Sequence, residues 1–96
     1  MSKVMAIQIL GLACPKVRQT VINARAAASA FEDKPDVRWI NDVHKLSAIG
    51  AFIVPTLMIG GQIKSSGRVP SVYEITGWIE EEMDFSEYSI LDRKEI

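Results

Sequence analysis

Ile7-Gln8-Ile9-Leu10-Gly11-Leu12-Ala13-Cys14-Pro15-Lys16-Val17 carries the only cysteine of the chain. The apolar run from Val4 to Leu10, rich in Val and Ile and ended by Gly11, has the pattern of a buried strand. Pro15 is tolerated in a first helical turn, because its missing N–H would have had no partner there. Val17, Val21, Ile22, Ala24 and Ala28 then continue at helical spacing, which predicts a helix over about 15–31. Cys14 therefore falls at a strand-to-helix junction, where unpaired N–H groups and the positive end of the helix dipole favour a thiolate over a thiol. Lys16 could add positive charge beside it, but its flexible stem is better placed in solvent.

Outward from this junction, residues 32–36 form a polar break, after which Val37, Trp39 and Asn41 alternate with Arg38, Ile40 and Asp42 as in a strand. Asp42 is a suitable cap for a short helix ending at Ile49, where Gly50 stops it. Thr56 to Ile59, Gly60-Gly61 and Gln62 to Lys64 read as a hairpin, since Gly-Gly adopts the positive φ angles of a tight turn. After Ser65-Ser66-Gly67, a last helix starts near Pro70 or Ser71 and aligns Val72, Ile75, Trp78 and Ile79. Gly77 costs that helix about 1 kcal/mol relative to alanine, and close packing is the expected reason. We divide the chain into a domain over 1–83 and an extension over 84–96. Phe85, Tyr88, Ile90 and Leu91 of the extension either dock on the domain or a second copy, or belong to a frayed tail.

Ninety-six residues, 48% of them hydrophobic, suit one domain with a modest core. Eleven basic and 12 acidic residues are interleaved and give a net charge of −1, so no basic stripe exists to follow a phosphate backbone, and nucleic acid is not an expected partner. The longest nearly apolar stretches, 26–31 and 48–54, are too short to cross a bilayer, which needs roughly 20 residues. Lys3, the apolar run and Cys14 superficially resemble a lipoprotein signal, but Gln8 interrupts the run and Gly11-Leu12 suits cleavage poorly. One cysteine cannot make an internal disulfide, and the expected compartment is a reducing cytoplasm.

The order β-α-β-α-β-β-α, with a cysteine at the first junction and Val54-Pro55 before the third strand, resembles the thioredoxin superfamily. More narrowly it is similar to the small thioredoxin-like proteins called redox-active disulfide protein 2. The motifs are 9–17 around Cys14, Gly50-Ala51-Phe52-Ile53-Val54-Pro55-Thr56-Leu57, Gly60-Gly61, and Ser65-Ser66-Gly67-Arg68-Val69-Pro70-Ser71. The resemblance implies an α/β fold with a four-stranded mixed sheet in order 2-1-3-4. Helices lie on both faces, the first and third on one and the second on the other. It also implies a Cys-x-x-Cys motif, whose second position here is Val17.

With two cysteines, the first attacks a substrate disulfide and the second resolves the mixed disulfide. Val17 cannot do so, which excludes the two-cysteine route. Cys14 is then the catalytic candidate for a monothiol, glutaredoxin-like exchange resolved by glutathione, by a protein thiol, or by a second copy. The resemblance makes Pro55 cis, lying against Cys14 and leaving the Val54 backbone free for an extended peptide or glutathione. Ala13, Pro15, Phe52, Val54, Pro55 and Gly67 are the candidate substrate-binding residues. Gly67 and Arg68 could hold an anionic group, although a loop glycine and a solvated arginine are the simpler account. The competing reading is a binding domain whose surface around Ala13, Cys14, Phe52, Val54 and Pro55 takes a protein or peptide without redox change. A third is a homodimer joined through Cys14, or sharing a soft metal or iron–sulfur cluster, for which one cysteine per chain gives too few ligands without an external thiol. No metal or cofactor is expected. His44 has no companion ligand and reads as a surface residue, while Trp39 and Trp78 read as core or near-core packing.

Overall fold

The computed structural model describes residues 5–50 and 53–95, with side chains described through Met83. The elements are β1 (Ala6–Leu10), α1 (Pro15–Ala28), β2 (Asp36–Ile40), α2 (Val43–Ile49), β3 (Thr56–Ile59), β4 (Gln62–Ser66) and α3 (Val72–Glu95). They build one mixed sheet in order β2-β1-β3-β4, parallel between β1 and β2 and antiparallel elsewhere. Order, connectivity and mixed pairing are those of a thioredoxin-like α/β fold.

Alternation along the two central strands divides the sheet into two faces. Ile7 and Ile9 of β1 and Leu57 and Ile59 of β3 are fully buried on one face. Against them pack Val17, Val21, Ala24 and Ala28 of α1 with Ile75 and Ile79 of α3. Each large aliphatic side chain buried there contributes on the order of 2 kcal/mol. The opposite face carries Leu10 and Met58, which with Ile49 of α2, Ile53 and Ile63 line an apolar groove of about 240 Å³.

The element ends show local chemistry at work. Helix α1 stops at Ala28, short of the expected Phe31, because its last turn tightens: Ala30 donates to the Ala27 carbonyl at 3.2 Å and Phe31 to Ala28 at 3.1 Å. Helix α2 keeps its expected limits, with the Asp42 carboxylate accepting from the His44 N–H at 2.8 Å and Gly50 left-handed at φ 82°. Gly60 and Gly61, at φ 59° and 84°, make the hairpin turn. Strand β4 runs through Ser65 and Ser66, which pair with Leu57 and Thr56 after a bulge at Leu57/Met58. A cluster of two serines and a glycine reads as loop, so these two strand residues lay beyond the sequence pattern.

Gly77 overturns one expectation. A Cβ at this position would have nothing within 4 Å, so close packing does not account for the glycine. Helix α3 runs on through positions 83 and 84 without a break. Phe85, Tyr88, Ile90 and Leu91 lie outside the described side chains. Among the described residues no helix is long and apolar enough to cross a membrane.

Candidate functional site

Cys14 is the N-cap residue of α1, with extended φ and ψ of −158° and 166° and Pro15 following at the first helical position. Its carbonyl accepts from the Arg18 N–H at 2.9 Å, the first bond of the helix. Its side chain makes no capping hydrogen bond. The thiol is free, half-buried, and packed against the edge of the main core. Leu12, Ala13, Pro15 and Lys16 around it are exposed. Val17, at the second cysteine position of the motif, is fully buried in the core. One turn of helix thus presents a sulfur near the surface and, on the next turn, an aliphatic group that belongs to the interior.

Gly11 links the surrounding pieces. Its N–H donates to the Ile40 carbonyl at 3.1 Å, and its own carbonyl accepts from the Trp39 indole Nε1–H at 2.8 Å, so both backbone groups are tied to the end of β2. A Cβ here would sit 2.7 Å from Val17 Cγ2 and 3.2 Å from Val54 Cβ. With φ at 153°, in a region disfavoured for residues with a Cβ, only glycine fits between α1 and the loop that leads to β3.

That loop presents exposed Ile53 and Val54, then buried Pro55, across a cis Val54–Pro55 peptide. The Thr56 hydroxyl donates to the Ile53 carbonyl and lies 3.2 Å from Ser66 Oγ. The Pro55 carbonyl accepts from the Gly67 N–H at 2.9 Å. Among the described residues no hydrogen bond engages the Val54 backbone. Phe52 lies outside the described residues.

The sequence candidates therefore separate. Gly11 brings the root of the Cys14 loop against Val54, whereas the Gly67 N–H is committed to Pro55. Arg68 is engaged by both Glu74 oxygens at 2.9 Å. Glu74 also accepts from the Ser71 N–H at 2.9 Å, and its own N–H donates to Ser71 Oγ at 3.0 Å, a reciprocal capping box at the start of α3. Hydrogen bonding from Arg68, and then from Ser71, holds the Glu74 carboxyl down at about 2 and raises Arg68 in turn. Sequence reasoning missed Glu74, although the Ser-x-x-Glu spacing was there to find, and it missed the Trp39–Gly11 bond, which no local pattern announces. His44 is exposed, and its backbone N–H donates to the Asp42 carboxylate. Among the described residues no three His, Cys, Asp or Glu side chains gather as a metal site.

Residues 5–80 match the thioredoxin domain family. A thioredoxin from Methanocaldococcus jannaschii is 33% identical over 69 residues, covering 72% of this chain and 79% of that protein. A thiol at the N-cap of α1, the β2-β1-β3-β4 sheet behind it and these two matches place the chain in the thioredoxin-domain family, whose general chemistry is thiol–disulfide exchange.

Proposed function

We propose that the protein carries out thiol–disulfide exchange through Cys14 alone. The observation that supports it most is the N-cap thiol, left out of helix capping and reaching the surface, while Val17 at the resolving position is core. The Cys14 thiolate attacks a disulfide RS–SR′, forming Cys14–S–S–R and releasing R′S⁻. With no second cysteine, an external thiolate, from glutathione or a protein, attacks the mixed disulfide, expels the Cys14 thiolate and leaves as the disulfide of its own sulfur with R. Each cycle therefore consumes one external thiol and releases R′S⁻, and with a glutathionylated substrate and glutathione as the external thiol the products are the free substrate thiol and oxidised glutathione. Ala13, Pro15 and Val54 form the exposed rim of this site, with Pro55 and Gly67 holding the loop that offers the Val54 backbone to an extended partner. The quoted motifs support a place beside redox-active disulfide protein 2, and a reducing cytoplasm suits a single free thiol.

The test is glutathione-coupled reduction of a glutathionylated peptide. Wild type turns over and accumulates a mixed disulfide at Cys14 when glutathione is limiting, and Cys14→Ser does neither. Turnover that survives in Cys14→Ser rejects the reading. Exposed Leu12, two residues before the thiol, and exposed Ile53 and Val54 of the loop that meets Gly11 favour a second reading, a peptide-binding domain without redox change. A partner bound with the same affinity by Cys14→Ser, together with an inactive wild type, selects it. A dimer on non-reducing gels that disappears in Cys14→Ser instead marks a disulfide-joined homodimer.

A further inference from the structure

We infer that Trp39 is a positioning residue for Cys14, acting through the carbonyl of Gly11; this rests on Cys14 being the reacting thiol. Trp39 stands opposite Ile9 in the parallel β1–β2 register, so its indole lies on the α1 face, half-buried against the main core. From there it reaches along the strand and donates Nε1–H to Gly11 at 2.8 Å. Gly11 is the last fixed point before the thiol, and only Leu12 and Ala13, both exposed, lie between them. Beyond Leu10 the β1–β3 pairing has ended, so the loop root is held through the Ile40 and Trp39 bonds to β2.

The Trp39 bond is the one of these two made by a side chain, and so the one a substitution can remove without breaking the backbone ladder. Gly11 cannot shift toward α1 or the Pro55 loop to compensate, because Val17 and Val54 close those directions. Losing the indole donor leaves the Gly11 carbonyl buried and unpaired, and the loop moves to hydrate it. The Cys14 sulfur then spends less time in the place at the start of α1 that the fixed loop gives it.

The experiment compares iodoacetamide alkylation of Cys14 across pH in wild type, Trp39→Phe and the control Trp78→Phe. Trp39→Phe keeps the apolar bulk and loses the donor. Its rate falls roughly fivefold, the factor expected for one hydrogen bond, so its rate-against-pH profile lies below that of wild type. Trp78→Phe leaves the profile in place. Coincident profiles for Trp39→Phe and wild type overturn the inference, since a purely structural indole would change stability and not the profile. If Trp39→Phe does not fold, the wild-type chain supplies the readout: on forming the glutathione mixed disulfide at Cys14, the indole N–H resonance of Trp39 shifts and that of Trp78 does not. Unmoved Trp39 then overturns the inference. A lowered alkylation rate in Trp39→Phe beside an inactive wild type keeps the positioning role and rejects only the exchange reaction.

Discussion

Helices α1 and α3 begin in opposite ways. Ser71 and Glu74 satisfy each other's backbone N–H groups at the start of α3, and Arg68 clamps the same carboxylate. At α1 the N-cap position has the extended backbone that a capping residue adopts, yet it holds a cysteine that makes no such bond. Sulfur is a weak acceptor, so the first turn of α1 forgoes what serine would supply there. The contrast separates a helix end closed by reciprocal caps from one whose N-cap position holds a free thiol instead.

The largest effect should come from the support beneath that atom. Gly11→Ala forces a Cβ to within 2.7 Å of Val17 Cγ2 on a backbone at φ 153°. Overpacking and backbone strain together should cost about 3 kcal/mol, a large part of a small domain's stability. Urea denaturation checks this, and an unchanged midpoint would mean that the α1 junction has slack its geometry does not show.

Cys14→Ser sharpens the contrast from the other side. The serine hydroxyl can accept from the first turn as Ser71 does in α3, so the variant should be more stable by about 1 kcal/mol, or about 5 °C in Tm, while losing all thiol exchange. A variant no more stable than wild type would show that α1 forgoes nothing by carrying a thiol. On α3, Gly77→Ala should add up to about 1 kcal/mol, because the new methyl meets open space and alanine is the better helix former. Destabilisation there would reveal a requirement for glycine that packing within the chain does not supply.

How far the sequence could be read follows the range of the forces involved. Strand alternation, the Asp42 cap, Gly50 and Gly60-Gly61 act within a few residues, and each marked its element. The end of α1 is hidden in the sequence because Ala26 to Phe31 keeps an apolar pattern through a turn that has already tightened. Cys14 and Val17 were legible as a motif and its departure. That Gly11 sits between Val17 and Val54, and that Trp39 reaches it from 28 residues away, are products of tertiary packing. Gly77 misled because a helical glycine has the same appearance in sequence whether its side faces a neighbour or solvent.

The smallest effect is the one that belongs to α3 alone. Glu74 is held at about 2 in the folded chain against 4.5 for a free glutamate, by Arg68 first and then by Ser71. Its folded value is depressed, so its contribution is complete above 4.5 and is lost as pH falls from there toward about 2. The group is at the surface, where solvent and salt screen it, so the effect is modest. Glu74→Gln keeps a side-chain acceptor for Ser71 and loses the charge facing Arg68. Its Tm should lie below wild type by a constant small margin at neutral pH, and the margin should close through that acid window. Cys14→Ser, whose gain rests on a hydroxyl, should keep its advantage over wild type through the same window. If both differences titrate together, the two helix starts are coupled through the domain, and the separation drawn between them fails.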